Sequence, residues 1–262
     1  MESYSLIRFR SYCYRSLNCP GAVWCARLNA PATQAATAAA DFSAKLWDAL
    51  SGAELHTLQH KHIVKSVCFS ADSTRLYTGG AEKKLRIFDL ARPDADAALL
   101  EDHKSSISNV LTARDDNLII TVAAEKDVRI WDRRTNAVAQ RLPTTGDIRY
   151  AQTNLDGSVL CVSTGGKEVS FYNTANMQLI KTFTMPREVD CLSYDAAHDR
   201  FVTVRTAQTQ TRVDADVTLS RNSRTCGSLC FVHAYLSVSM CAGFVDGAVG
   251  SLLRFQERRG DW

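Results

Sequence analysis

The chain has 262 residues, of which 45% are hydrophobic and 23% are charged, and its formal net charge is +3. This composition is typical of a globular protein and excludes a chain that is disordered throughout. Residues 20–204 carry 21 Lys and Arg against 22 Asp and Glu. Because nucleic-acid binding depends on clustered basic residues, this neutral middle argues against direct binding of RNA or DNA as the main function.

Residues 1–19 are predicted to form a divergent lead-in to the globular part. Arg8, Arg10 and Arg15 interrupt any apolar run, so the segment does not resemble a secretory signal, whereas its Arg and Ser content leaves a mitochondrial transit peptide as a weaker alternative. The nine cysteines form no paired framework, which indicates free thiols in a reducing compartment. We therefore expect a cytoplasmic protein, and an additional nuclear location stays open.

A repeat organises the chain from residue 20 onwards. The segments ADFSAKLWD (40–48), AEKKLRIFD (81–89) and AEKDVRIWD (124–132) align without gaps, and GKEVSFYN (166–173) follows them. Their aromatic positions, 41, 43 and 41 residues apart, are Trp47, Phe88, Trp131 and Tyr172. A four-stranded blade of a β-propeller needs about 40 to 45 residues, so the period predicts an all-β propeller.

The second copy of the repeat shows the strand pattern most clearly. Residues 63–70 are rich in β-branched and apolar side chains, and 75–78 form a second short run that Gly79 and Gly80 close. The third and fourth strands are predicted at 85–89 and 97–100. Helical periodicity is absent from these windows, because apolar residues alternate or occur in runs of about four.

The other copies are placed on this one in chain order. Val23 begins the first apolar strand of the first copy, and Ile107, Ile148 and Val189 begin those of the third, fourth and fifth. Residues 20–204 thus supply four to five recognisable blades, each of which needs a neighbour to cover its apolar face. After residue 204 the sequence is polar and rich in Arg and Ser, so 205–262 is predicted to be a divergent, partly disordered tail.

A histidine, a Ser or Thr, an acidic residue and a Trp-Asp ending recur at fixed places in the copies, and this combination resembles the WD-repeat family. The resemblance implies that these side chains form a hydrogen-bond set inside each blade. The set consists of His60, Thr78, Glu82, His103, Thr121, Glu125, Trp131, Thr37, Asp41 and Trp47. Phe88 replaces the Trp of the second copy, and Gly166 and Tyr172 replace the acid and the Trp of the fourth. We therefore expect the blades to hold together mainly by packing.

The stretch from GAVWCARLN (21–29) to KKLRIFDL (83–90) is also similar to one branch of that family, the serine-threonine kinase receptor-associated or unr-interacting proteins, through the runs TAAAD and HKHIVKSV. This resemblance implies a seven-bladed propeller, so the chain is expected to form a partial one, incomplete at both ends. It also implies an adaptor of the survival-of-motor-neuron (SMN) complex, which assembles spliceosomal particles for mRNA splicing. The same resemblance implies that the protein also acts as an adaptor in receptor signalling of the TGF-beta type.

Three other patterns carry weaker signals. TGGK at 164–167 lacks the upstream Gly and the following Ser or Thr of a P-loop. The spacing of a cysteine-rich group near the carboxyl end is poor for a structural zinc site; its members are Cys226, Cys230, His233 and Cys241. The apolar run at 229–245 is short for a membrane-spanning helix. We therefore expect no catalytic residue, no metal, no cofactor, no small-molecule substrate and no membrane segment.

Several basic residues lie near predicted loops and strand starts that would gather at one face of the propeller. The candidate partner-binding residues are Lys61, His62, Lys65, Lys83 and Lys104. A broad face built from loops suits protein partners, so the predicted function is a non-catalytic scaffold for protein–protein interaction. Three alternatives stay open: a propeller that is a hydrolase, a propeller that binds RNA directly, and a truncated product without a stable function.

Overall fold

The computed structural model describes residues 21–113, 117–154, 157–165, 167–185, 189, 191–195 and 200–204. These residues form antiparallel strands joined by turns, and they contain four four-stranded sheets and one two-stranded sheet. In every sheet, strands that follow each other in sequence are hydrogen-bonded neighbours. The all-β architecture of propeller blades is therefore confirmed.

Each four-stranded sheet is one blade, and the blades are numbered in chain order. Blade 1 contains β1 (Val23–Leu28), β2 (Gln34–Ala39), β3 (Ser43–Asp48) and β4 (Glu54–Gln59). Blade 2 contains β5 (Val64–Phe69), β6 (Arg75–Gly80), β7 (Lys84–Asp89) and β8 (Ala98–Glu101). Blade 3 contains β9 (Ile107–Thr112), β10 (Leu118–Ala123), β11 (Asp127–Asp132) and β12 (Ala137–Pro143). Blade 4 contains β13 (Ile148–Thr153), β14 (Val159–Thr164), β15 (Glu168–Asn173) and β16 (Leu179–Thr184). The two-stranded sheet contains β17 (Cys191–Asp195) and β18 (Arg200–Val204).

The turns inside the blades repeat one backbone conformation. At each of three turn positions, residues from different blades have φ between 54° and 71°, the left-handed region that few residue types adopt freely. In chain order of the turns, they are Ala32, Ser73 and Gly157; Phe42, Lys83 and Lys167; and Gly52, Asn136 and Met177. Because residues as different as Phe and Gly share the conformation, the repeat imposes the turn geometry and the local residue type does not.

The hydrophobic core is divided into clusters that lie between successive blades. Leu46 of blade 1 belongs to the same cluster as Val67 of blade 2, and Ile120 of blade 3 belongs to the same cluster as Leu160 of blade 4. The first strands of successive blades, β1, β5, β9 and β13, also contact one another. The sheets are therefore stacked face to face with their first strands on the inner side, as in part of a propeller.

Strand β6 is longer than the sequence predicts. It runs to Gly80 and does not end at Thr78, because Gly79 and Gly80 pair with Ser66 and Val64 of β5. A Cβ atom on Gly80 would lie 2.1 Å from the carbonyl oxygen of Ile63. The two glycines therefore belong to the strand and let neighbouring chain segments approach closely, and the turn follows directly after them, with the backbone N–H of Lys83 donating to the carbonyl of Gly80.

Several predictions from the sequence concern residues outside the described part. They are the lead-in at 1–19, the tail at 205–262 and the candidate zinc residues of that tail, so the proposed boundaries of the blade region stay predictions. Within the described residues, no helix is long and apolar enough to span a membrane. The same residues contain no group of three or more His, Cys, Asp or Glu that could hold a metal ion.

Candidate functional site

Blade 3 brings together the four side chains that the repeat pattern predicts. The indole Nε1 of Trp131 donates a hydrogen bond of 2.7 Å to the hydroxyl of Thr121. The same hydroxyl lies 2.6 Å from Nε2 of His103, and Nδ1 of His103 lies 3.5 Å from a carboxylate oxygen of Glu125. Thr121 thus joins the centre of the sheet to the loop that carries His103.

Blade 2 has a shortened version of this arrangement. Nε2 of His60 lies 2.8 Å from the hydroxyl of Thr78, but its Nδ1 faces the carbonyl oxygen of Leu58 at 3.0 Å. Phe88 packs against the His60 ring with a centroid distance of 5.6 Å. Both ring nitrogens of His60 therefore have partners other than Glu82.

Glu82 and Glu125 bind the loops that enter their blades. Glu125 accepts hydrogen bonds of 2.8 Å from the backbone N–H groups of Lys104 and Ser105. In the same way, Glu82 accepts a hydrogen bond from the backbone N–H of Lys61. The carboxylates therefore hold the backbone beside two of the candidate lysines in a fixed position.

An arginine four residues after each of these carboxylates completes the set. Nη2 of Arg86 lies 2.6 Å from Glu82, and Nη2 of Arg129 lies 2.6 Å from Glu125. The side chain of Arg129 is 2% exposed, and its Nε lies 3.1 Å from a carboxylate oxygen of Asp102. The sequence reasoning missed both arginines, although the Glu-x-x-x-Arg spacing recurs in the second and third copies and contains the signal.

The charge states of these groups follow from their surroundings. Burial, with a contribution from Arg86, lowers the pKa of His60 to about 4. Burial and the charge of Arg129 also lower the pKa of His103. For Glu125, burial would raise the pKa, but hydrogen bonding to Ser105 and the charge of Arg129 outweigh it and lower the pKa. At neutral pH the set therefore consists of neutral histidines and ionised carboxylates.

Blades 1 and 4 differ from this arrangement. In blade 1, Trp47 donates to Thr37 at 2.9 Å, and Asp41 accepts hydrogen bonds from the backbone and hydroxyl of Ser43. In blade 4, the place of Thr121 is occupied by Val162, which is buried. The Gly166 that stands at the acidic position of blade 4 lies outside the described residues.

A β-bulge recurs in the first strand of all four blades. The pairing of β1 with β2 skips Trp24, and that of β5 with β6 skips Lys65. Ser108 in β9 and Arg149 in β13 are skipped in the same way. Bulges redirect side chains, so these four residues form a row on the inner strands, which we call the bulge row. Only Lys65 was among the predicted binding residues; the signal for the others is their place directly after the first apolar residue of each copy.

The candidate partner-binding residues lie at the end of the blades where the bulges occur. The interblade loops and the second turn of each blade meet there, as when Ala81 donates its backbone N–H to Ile63 at 2.9 Å. We call this end the loop face; it comprises residues 40–42, 60–63, 81–83, 102–106, 124–126 and 144–147 together with the bulge row. Lys61, His62, Lys83 and Lys104 are exposed on it, and Lys65 is half-buried.

Comparison with known proteins agrees with this geometry. The family model described as "WD domain, G-beta repeat" matches residues 11–48, 52–89 and 97–132. The serine-threonine kinase receptor-associated proteins of Gallus gallus and Homo sapiens are 45% and 43% identical to the chain over 173 residues. That alignment covers 66% of the chain and 49% of each relative. The protein of the same name from Dictyostelium discoideum is 38% identical over 183 residues, which cover 70% of the chain and 62% of the relative. The chain thus spans about half the length of the vertebrate relatives that it matches.

Proposed function

The chain is a WD-repeat protein, and on that premise we propose that it acts as a non-catalytic scaffold that binds other proteins through its loop face. The observation that carries this proposal is the fixed position of that face. Glu82 and Glu125 bind the backbone of the interblade loops at Lys61 and at Lys104 and Ser105. A surface that is ordered before it binds loses less conformational entropy on association.

The finer part of the proposal concerns the partners. Similarity to serine-threonine kinase receptor-associated proteins favours association with receptor serine/threonine kinases, as in signalling of the TGF-beta type. The same family resemblance favours a second role as an adaptor of the SMN complex in spliceosomal assembly and mRNA splicing. Both roles belong to the cytoplasm, and the second extends to the nucleus.

Binding of purified partners tests this proposal directly. The chain is immobilised and titrated by biolayer interferometry with the cytoplasmic domain of a TGF-beta-type receptor kinase and, separately, with reconstituted SMN complex. We expect saturable binding of at least one partner. Intact mass spectrometry of the partner before and after incubation is expected to show no change in mass, because a scaffold modifies nothing.

Two single charge reversals localise the interaction. Lys104→Glu changes an exposed residue of the loop face, whereas Arg134→Glu changes an exposed residue in the third turn of blade 3, at the opposite end. We expect several-fold weaker binding for Lys104→Glu and unchanged binding for Arg134→Glu. Absence of binding to both partners, equal effects of the two reversals, or a chemically altered partner would contradict the proposal.

A further inference from the structure

Five residues at the junction of blades 1 and 2 combine aromatic and basic side chains on the loop face. They are Trp24, Phe42, Lys61, His62 and Lys65, and we call them the aromatic–lysine patch. We propose that this patch binds an acidic peptide segment that carries one apolar side chain. The inference rests on the proposed function, because it names the partner chemistry of the same face.

The aromatic side chains of the patch are exposed, and the chain segments that carry them are neighbours. Trp24 and Phe42 are each 45% exposed. The start of the strand that contains Trp24 lies beside the turn that contains Phe42, since Val23 pairs with Ala39 and the backbone N–H of Ala40 donates to Ala22. His62 lies beside Phe42, with the two ring centroids 6.3 Å apart. Large aromatic side chains gathered at one exposed place are typical anchors for binding partners.

Phe42 occupies an unusual backbone position for an aromatic residue. Its φ is 67°, in the left-handed region where Gly and Asn are the common residues. In the chain itself, much of the ring stays in contact with solvent, so its own fold gains little from this conformation. A partner that buries the Phe42 ring would supply the apolar contacts that the ring lacks in the chain's own fold.

The charge of the patch selects an acidic partner. Lys61 and His62 are exposed, and Lys65 is half-buried; neither lysine forms an ion pair with a described residue. Two carboxylates of the neighbouring turns already have partners: Glu82 is bound by Arg86 and by the backbone N–H of Lys61, and Asp41 is bound by Ser43. The lysine ammonium groups thus remain available to carboxylates of a partner.

The geometry favours a peptide over a single-stranded nucleic acid. The planes of the Phe42 and His62 rings are inclined by 75°, so the two rings do not form a parallel platform on which successive bases could stack. The loop face beyond the patch also alternates in sign, because Glu82, Asp102 and Glu125 lie between its lysines. A phosphate backbone needs a continuous basic track.

Defined probes test the inference on the full chain by fluorescence anisotropy. The test probe is a labelled 12-residue peptide mixture of alternating Asp or Glu and Ser, with Leu, Phe or Trp near the centre. Matched mixtures replace the acidic residues by Lys, or the apolar residue by Ser, and a 12-nucleotide oligouridine represents RNA. We expect the acidic mixture with an apolar residue to bind at least tenfold more tightly than any other probe.

Variants assign this binding to the patch. Phe42→Asn keeps a residue that tolerates the left-handed conformation and removes the ring, and the double variant Lys61→Glu/Lys65→Glu reverses the charge. Each is expected to weaken binding at least tenfold. The matched controls, Leu50→Ser and Arg134→Glu, change exposed residues of turns at the opposite end and are expected to leave binding unchanged. Circular dichroism verifies that all variants fold.

The outcomes separate this inference from the proposed function. No peptide binding, equal binding of all peptides, preference for oligouridine, or unchanged binding by the patch variants would each overturn the inference. The same variants are then tested against the receptor kinase domain and the SMN complex. If these proteins bind while the patch variants have no effect, the scaffold function stands without the patch. If the acidic peptides bind and neither protein does, the patch stands and the proposed partners are wrong.

Discussion

Blades 3 and 4 have the same strand order and the same bulge, but only blade 3 contains the polar set. In blade 3, Thr121 accepts the indole N–H of Trp131 and contacts His103. In blade 4, Val162 stands at the place of Thr121 and is 0% exposed within the cluster shared with blade 3. A blade therefore forms with or without the polar set. Packing between neighbouring sheets, and not the polar set, determines that the blade forms.

What the polar set adds is order in the loops. In blade 3 the carboxylate of Glu125 binds two backbone N–H groups of the loop that precedes the blade. In blade 4 the corresponding loop is held by backbone hydrogen bonds, as from Thr144 to Lys126 and from Ile148 to Glu125, and among the described residues the Glu168 carboxylate accepts only a side-chain hydrogen bond, from the hydroxyl of Thr145. The comparison predicts that core substitutions reduce stability more than substitutions in the polar set.

The largest effect is expected at Leu160, which is 0% exposed between blades 3 and 4. Leu160→Ala removes buried methyl groups and leaves a cavity, so we expect the free energy of unfolding to fall by about 3 to 5 kcal/mol. Urea denaturation followed by circular dichroism measures the change. Leu50→Ala, at a residue that is 82% exposed, is the control and should change stability by less than about 0.5 kcal/mol. Equal effects of the two substitutions would break the argument that packing dominates.

A smaller effect is expected when blade 3 is given the residue of blade 4. Thr121→Val leaves the buried indole N–H of Trp131 without its acceptor and removes the partner of His103, so unfolding should become easier by about 2 to 3 kcal/mol. Hydrogen exchange at the backbone N–H groups of Lys104 and Ser105 should also become faster.

The reverse substitution is the matched control for this experiment. Val162→Thr places a hydroxyl group in an apolar cluster, so it is expected to destabilise the chain by about 1 to 2 kcal/mol without faster exchange at Lys104 and Ser105. If Thr121→Val leaves hydrogen exchange at Lys104 and Ser105 unchanged, the polar set does not order this loop. Blades 3 and 4 would then not differ in how their loops are held.

The sequence predicts the blades well because their information is periodic. The aromatic position at Trp47, Phe88 and Trp131 recurs with the blade period, and Trp47 and Trp131 each donate to the threonine of their blade. The arginine partner of each recurring carboxylate is harder to predict from the sequence, because Arg129 reaches Glu125 only when the turn between β10 and β11 brings the residue four positions later back beside the carboxylate.

The bulge row shows a second limit of reading the sequence. A bulge inserts one unpaired residue into a strand, and the residues of a single strand do not show that Trp24 or Arg149 is the unpaired one. The register of the neighbouring strand is needed to identify them. The length of β6 was misjudged for a related reason: Gly79 and Gly80 serve close approach between strands, which a single sequence does not distinguish from a turn.

The smallest effect is a dependence of stability on pH that should come from blades 2 and 3, where the two histidines lie. Burial, with a contribution from Arg86, lowers the pKa of His60 to about 4, and burial also lowers that of His103. Unfolded histidine takes up its proton near pH 6.5. The unfolded chain therefore binds more protons between pH 6.5 and about 4, so stability that is complete above pH 6.5 is lost as the pH falls.

Between pH 7 and pH 5 we expect the free energy of unfolding to fall by about 1 to 2 kcal/mol for His60, measured by urea denaturation at each pH. The double variant His60→Gln/His103→Gln removes both titrating rings and should flatten the profile in this window. The carboxylates with lowered pKa, such as Glu82 and Glu125, act only below it. An unchanged slope in the double variant would mean that the buried histidines are not its source, and that the polar set contributes to stability through its hydrogen bonds alone.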